Sequence, residues 1–511
     1  MGGSEEKVVE GKEEEKAILF APIGNPEIYK KARYVVPGKC NESPGGCADD
    51  KNDGIESTTT ILPLCIYEKV NRVVVFPSLT LLTRDDIELA EGTKEYPYNE
   101  LSNKVEGSLK KIKNKDFIND LNKCEERSVK LKIYTVPGIG SFGKGRGKKD
   151  SKGEKESSPN NTPYTVTCSE ETKGKGFTIN LYPAYIYWKA YEELSDLGMG
   201  KNLKVIIDLT HGVNYMPFLA YQSIALASML YSAINKAKVK LIVYNSDPFV
   251  EGMKLNINRV AKINIGSQEA FGKIIEGVVD IDNNSLGTII GSIKRGKGGS
   301  NSCKFDSREI KKLARASSVC VFLLASHMKD EIEGCAKSFE ERLKGIEGMK
   351  VGVDVEGNDI KVKYKCDVHY EEIMLHAMFK ILSKISGGDC GSNSPALSDN
   401  KLEGLAKSYC DEAKGILIIN EIDRIRDSLK NAQNYEYTLL SKIMEDNNTK
   451  SKGKSAGGTD KRNLIAHGGL EENVTYIKAK GYKEGKGQEK GEVSFCAKYN
   501  EEKVKSILDQ F

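Results

Sequence analysis

The chain has 511 residues, 39% hydrophobic and 29% charged, which is enough for two or three domains with real cores. Its 77 basic and 73 acidic residues leave a net charge of +4, too balanced for a dedicated duplex-DNA binder. Residues 1–16 are charged and lack an apolar signal core, so a cytoplasmic rather than a secreted protein is expected.

The first half alternates strands and helices. Residues 17–23 read as a strand, 58–70 as a helix and 72–76 as a strand followed by a polar helical region. A strand follows at 131–136 and a mostly helical stretch at 177–197. Two more strands, 205–209 and 240–245, flank a long apolar helix. The alternation predicts a parallel, Rossmann-like sheet with helices on both faces. From Gly212 to Ile234 no residue is charged, a length that imitates a membrane span. Pro217, Gln222 and several tyrosines and serines favour a helix buried against the sheet instead, with no membrane partner.

Between residues 143 and 176 the composition shifts to Gly, Lys, Ser, Pro and Asn, which predicts a mobile insertion. Gly138-Ile139-Gly140-Ser141-Phe142-Gly143 matches a dinucleotide-binding glycine pattern, and with Lys144 nearly a Walker loop. Both need a helix to follow, and none is expected there, so both are rejected.

Beyond residue 255 the pattern turns helical, over 307–345, 370–385 and 402–429. Residues 351–364 alternate around Glu356-Gly357-Asn358-Asp359 as a β-hairpin. A second hairpin is expected from 475–482 and 493–499, then a closing helix at 503–511. The expected division is a sensor-type α/β domain over 1–265, a linker over 266–305 and a mainly helical domain over 306–511. The hairpin insertion lies at about 351–365 of that last domain.

Twelve cysteines show no CxxC pair. Cys40 and Cys47 flank a Pro-Gly-Gly loop that would let them pair, while Cys65 and Cys320 read as small core residues. A reduced protein is expected, internal disulfides of a hyperthermophile being the alternative. His369, Glu372 and His376, with Cys366 before them, share roughly one helix face, yet the spacing matches no metal motif. No metal site is expected, and the His–Glu spacing reads as a surface pair. Glu421, Asp423, Arg424, Arg426 and Asp427 form a charged patch, either a solvated face or an acidic partner that orients Arg462.

Two motifs carry chemistry. The strand Val205-Ile206-Ile207 runs into Asp208-Leu209-Thr210-His211-Gly212-Val213-Asn214 and then the apolar helix. In an open α/β sheet, ligands bind beyond the carboxyl ends of strands, beside helix N-termini. The second motif is Arg462-Asn463-Leu464-Ile465-Ala466-His467-Gly468-Gly469. Arg is always charged and forks onto phosphate. His titrates near neutral pH. Asn463 and His467 are four apart and share a helix face, whereas Arg462 lies about 140° round an ideal helix from His467. The glycine pair reads as a C-cap, which puts His467 in the last turn. A base, an acid and a fixed positive charge suffice to cleave RNA at a ribose 2′-hydroxyl without a metal. The competing reading is a capped surface helix with an incidental histidine.

Together, and in this order, the two motifs resemble the CRISPR-associated CARF–HEPN ribonucleases. The resemblance implies a CARF sensor that binds a cyclic oligoadenylate, taken as cyclic tetra-adenylate, and a HEPN domain that cleaves single-stranded RNA. It implies Arg462, Asn463 and His467 as catalytic residues. It implies Thr210, His211, Gly212 and Asn214, with Gly24 and Asn25 from the first strand end, as ligand residues. A homodimer, or a higher oligomer, is implied, with no required cofactor beyond the activating ring. Two alternatives are a ligand-responsive nucleic-acid binder with an inert His467, and a toxin-like ribonuclease that needs no second messenger.

Overall fold

The computed structural model describes residues 15–36, 54–82, 92–111, 114–144, 164–170, 179–198, 202–212, 215–295, 303–356, 359–365, 368–391, 394–429, 436–447, 461–480 and 493–511. The first half contains β1 (Lys16–Ile23), β2 (Ala32–Val35), β3 (Ile55–Ser57), α1 (Ile61–Glu68) and β4 (Arg72–Pro77). It continues with β5 (Gly92–Pro97), α2 (Tyr98–Lys110), α3 (Lys115–Glu125), β6 (Lys130–Ile133), β7 (Gly140–Lys144) and β8 (Tyr164–Glu170). It closes with α4 (Leu181–Asp196), β9 (Asn202–Asp208), α5 (Met216–Asn235), β10 (Lys238–Ser246) and β11 (Lys254–Ile265).

Eight of these strands form one sheet in the order β3-β2-β11-β10-β9-β1-β4-β6. From β10 to β6 neighbouring strands run parallel, the expected Rossmann-like core. Strand β1 is buried from Ala17 to Ile23 because helices cover both faces. Its alternate residues enter two cores: Ile18 and Phe20 meet α4 and α5, while Leu19 and Ala21 meet α1 and α3. Helix α5 passes for a membrane span by length and composition, yet 61% of its most apolar stretch is buried inside the protein.

The edge beyond β10 departs from the expected helical pattern. Residues 254–265 form β11, antiparallel to β10, and β3 is antiparallel to β2, so the sheet is mixed. The alternating burial of Leu255, Ile257 and Ile265 is a period-two signal that exposed polar neighbours dilute.

The glycine-rich insertion is also partly structured. Its flanks form β7 and β8, which join β5 and a later hairpin in a five-stranded sheet, order β5-β12-β13-β8-β7. That hairpin, β12 (Lys350–Glu356) and β13 (Asp359–Lys365), follows α6 (Ser267–Asp280), α7 (Asn283–Arg295), α8 (Ser307–Ser318), α9 (Phe322–His327) and α10 (Lys329–Gly345). Strand β12 pairs with β5, and β13 with β8, so strands from both halves of the chain share one sheet. Residues 266–295, expected as part of a linker, are instead the packed helices α6 and α7. Their Phe271, Ile274, Leu286 and Ile289 are buried in the common core. Residues 140–143 of the glycine pattern lie in β7, and residues 145–163 lie outside the described residues.

The remaining elements are α11 (Glu372–Ile385), β14 (Leu397–Ser398), α12 (Asp399–Tyr409), α13 (Glu412–Leu429), β15 (Thr438–Leu439), α14 (Leu440–Asn447), α15 (Lys461–Ala466), β16 (Thr475–Lys480), β17 (Ser494–Tyr499) and α16 (Val504–Asp509). The expected second hairpin is β16 and β17, within a sheet of order β14-β17-β16-β15.

The cysteine expectation is corrected. Disulfides join Cys303 to Cys335, Cys320 to Cys410 and Cys390 to Cys496, all in the second half. Cys320 is therefore a cross-link and not merely a small core residue. Cys65, Cys124 and Cys168 are buried and stand outside these bridges, the Cys65 and Cys124 sulfurs lying 3.2 Å apart, and Cys40 and Cys47 lie outside the described residues.

Candidate active site and ligand loop

Helix α15 has six residues, too few to persist alone in water. Its buried residue is Leu464, whose burial contributes about 2 kcal/mol. Closure comes from the glycines, with Gly468 at φ 55° and Gly469 at φ 82°. Gly469 N–H donates to the Leu464 carbonyl at 2.7 Å, and His467 N–H to the Asn463 carbonyl at 3.0 Å. A Cβ on Gly468 would lie 2.3 Å from Ile418 Cγ1, so the turn sits directly on α13. Tyr499 of β17 holds it from the other side, its hydroxyl donating to the Gly469 carbonyl at 2.6 Å.

Glu421 stands three residues after Ile418, on the same side of α13. Its Oε2 lies 3.3 Å from His467 Nδ1. Buried Glu421 also accepts from Arg424 Nε at 3.1 Å, and Arg424 Nη2 reaches Glu472 at 2.7 Å. The hydrogen bond to Glu421 raises His467 above the ordinary imidazole value, with burial opposing. Burial alone would raise the Glu421 carboxyl, but His467 and Arg424 outweigh it and hold it low. An ionised carboxylate only accepts, so Nδ1 carries the hydrogen and Nε2 is left for chemistry.

Arg462 and Asn463 are exposed in the first turn of α15, and His467 is half-buried just past its end. The three expected residues thus share one short helix and turn. The charged patch on α13 divides: Glu421 faces His467, while Arg426 pairs with Asp399, Glu403 and Asp423. Glu421, expected either on a solvated face or as an acidic partner of Arg462, is instead the partner of His467. Its signal, a carboxylate in a charged helix, was visible, but its direction was not.

The ligand loop is assembled from adjacent strand ends. Buried Asp208 closes β9, its Oδ1 accepting from Thr210 N–H at 3.0 Å and its Oδ2 from the Thr60 hydroxyl. Thr210 Oγ1 accepts from Ser246 N–H at 3.1 Å. His211 Nε2 accepts from Thr60 N–H at 3.1 Å, and the ring lies tilted by 37° against Tyr29 with centroids 4.6 Å apart. Burial lowers the His211 pKa, with the Asp208 charge opposing. Gly24 N–H lies 2.7 Å from the His211 carbonyl, and a Cβ on Gly212 would lie 2.4 Å from Pro217 Cγ. Asn25 caps the short turn that follows it, accepting from Glu27 N–H at 3.1 Å.

Gly24, Asn25, Thr210, His211 and Gly212 therefore come together, and Asn214 lies outside the described residues. Several of their polar groups are already engaged in building the loop. Thr60 and Tyr29 were missed. The run Ser57-Thr58-Thr59-Thr60, all buried, was the available signal.

The supposed metal face resolves otherwise. Glu372 takes a two-pronged ion pair from Arg342 at 2.7 and 2.8 Å, and buried His376 lies 2.7 Å from the Tyr187 hydroxyl through Nδ1. It is an internal support, not the expected surface pair. Among the described residues no group of three His, Cys, Asp or Glu side chains could hold a metal.

Two family descriptions match the chain in the expected order: "CRISPR system endoribonuclease Csx1, CARF domain" over residues 18–248, and the HEPN domain of the same family over residues 411–501. The chain belongs to the CRISPR-associated CARF–HEPN ribonuclease family. The CARF match contains the loop at 208–212, and the HEPN match contains Glu421, Arg462 and His467. Over 248 residues this CARF–HEPN chain is 28% identical to the "CRISPR system endoribonuclease Csx1" of Methanocaldococcus jannaschii. The match covers 48% of this chain and 40% of that protein's length. A solved structure, Enterococcus italicus Csm6 bound to cyclic hexa-2′-fluoro-hexa-dAMP, aligns over 89% of this chain and 92% of that one. Its identity is 9% and its TM-score 0.25, so it places no constraint on the fold.

Proposed function

We propose that the protein is a metal-independent endoribonuclease that cleaves single-stranded RNA and is activated by a cyclic oligoadenylate in CRISPR antiviral defence. The observation that carries this reading is the His467–Glu421 pair at the Gly-Gly turn that ends the short helix on which Arg462 is exposed. His467 Nε2 takes the proton from a ribose 2′-hydroxyl. The freed oxygen attacks the adjacent phosphorus and the 5′-oxygen leaves, taking a proton from a second imidazole. Arg462 stabilises the charge that develops on the phosphorane. Asn463 positions His467 or the scissile phosphate.

One chain supplies one Arg462 and one His467. Two protomers facing each other supply both acid and base, so a homodimer is the working unit. The products carry a 2′,3′-cyclic phosphate and a 5′-hydroxyl. The activator is cyclic tetra-adenylate, whose internal symmetry matches two copies of the Thr210–Gly212 loop about a two-fold axis. The protein acts in the cytoplasm. Mass analysis of the fragments from a labelled single-stranded RNA tests the chemistry. A 2′,3′-cyclic phosphate terminus is expected, and a 5′-phosphate paired with a 3′-hydroxyl overturns the mechanism.

A further inference from the structure

The outward face of the four-stranded sheet carries two tyrosines and two lysines that the proposed chemistry leaves unused. Tyr476 and Lys478 are two apart on β16 and share a face, while Ile477 between them points inward, fully buried. Lys498 of β17 is paired directly with Tyr476, so it stands on the same face. Tyr437, just before β15, lies under both ammoniums: Lys498 Nζ is 4.6 Å and Lys478 Nζ 5.9 Å from its ring centroid. Tyr437, Tyr476, Lys498 and Asn500 line a cleft of about 520 Å³. Tyr499 also borders this cleft, and its hydroxyl holds the Gly469 carbonyl. The cleft therefore backs onto the turn that carries His467.

We propose that this face is a docking site for single-stranded RNA, with Tyr437 and Tyr476 as stacking surfaces for bases and Lys478 and Lys498 as phosphate contacts. Rings interleaved with cations suit unpaired nucleotides, because every base has a π-face and a duplex keeps its bases stacked on one another. Glu501 and Glu502 line the cleft and repel phosphate, so the strand lies toward Lys478. The ammoniums now over Tyr437 move to phosphate when a base takes their place. The choice of RNA rests on the ribonuclease reading above.

The test uses full-length protein carrying His467→Ala, which holds RNA without cutting it. Binding of a fluorescein-labelled single-stranded oligoribonucleotide is followed by anisotropy. Adding Tyr437→Ala or Lys478→Glu is expected to raise Kd at least tenfold, and Tyr437→Phe, which keeps the ring, to leave it within twofold. In a cleaving background the same changes raise KM and leave kcat within threefold. Unchanged Kd for Tyr437→Ala and Lys478→Glu overturns the proposal, as does equal loss with Tyr437→Phe or equal affinity for a duplex of the same length. Failure of the ribonuclease reading shows separately, as a wild type that does not cleave, and the binding comparison still decides this face.

Discussion

His467 Nδ1 and Glu421 Oε2 lie 3.3 Å apart although 46 residues separate them in the chain. The Gly468–Ile418 contact sets that distance, because it seats the turn one helical step from Glu421. The carboxylate fixes the ring's tautomer and favours the imidazolium. The sign of the pH dependence follows. Glu421 raises the His467 pKa, so the pair's contribution to stability is full below the unfolded imidazole value of about 6.5 and fades as pH rises through the folded value. Glu421 itself is held low, so its contribution fades as pH falls through its own folded value. Glu421→Gln is expected to lower kcat about 100-fold, at the low end of general acid–base effects. Both limbs of its pH–rate profile move to lower pH. A profile unchanged in position would show that Glu421 does not act on His467.

Gly468→Ala tests the seating itself. The left-handed backbone costs an alanine about 1–2 kcal/mol, and the encounter with Ile418 adds about 1–3 kcal/mol. Ile418→Ala carries its own cavity cost of about 2–5 kcal/mol, and measured against that variant Gly468→Ala should cost only the first part. Calorimetry of the single and double variants reads both, and equal melting temperatures for wild type and Gly468→Ala would contradict the close packing.

Much of this was legible in the sequence, and the losses have physical reasons. Strands buried on both faces, such as β1 and β9, announce themselves as apolar runs. Strand β11 does not, because one side faces water and its polar residues read as helix surface. The active-site turn was legible because glycine pairs and fixed spacings are local. Glu421 was not, because the Gly468–Ile418 contact that aims it is tertiary. Residues 266–295 of the expected linker were misread because the moderate apolar stripes of α6 and α7 show only when partners cover them. The disulfides were missed because their partners lie 32 to 106 residues apart, with no motif to join them.

The ligand loop reaches the second half through a continuous set of bonds. The Tyr215 hydroxyl accepts from Ile139 N–H at 2.8 Å and donates back to the Ile139 carbonyl, just before β7. Strand β7 pairs with β8, and β8 with β13 of the hairpin. A ligand activates only through its differential affinity for two states, and hundredfold activation needs about 2.7 kcal/mol. Tyr215→Phe is expected to keep cyclic tetra-adenylate binding within about threefold while cutting the fold-activation about tenfold. Calorimetric titration beside a cleavage assay checks this, and wild-type activation in the variant would exclude the Tyr215 route.

Two of the disulfides, Cys320–Cys410 and Cys390–Cys496, frame the same turn. Cys410 precedes α13, Cys320 precedes Val321, which packs on Gly469, and Cys496 lies in β17. Closing loops of 90 and 106 residues is worth about 4–5 kcal/mol each on chain entropy. Reduction of unfolded, unblocked protein should therefore lower the refolded Tm by 10 °C or more. An unchanged Tm would show that these bridges do not carry the frame.

The most direct test of the whole account is cleavage of a fluorescent single-stranded RNA in EDTA, with and without cyclic tetra-adenylate, for wild type and His467→Ala. The expected result is cleavage by wild type only, strongly enhanced by the ring and undiminished by EDTA. Wild-type rates in His467→Ala, or abolition by EDTA, would contradict it.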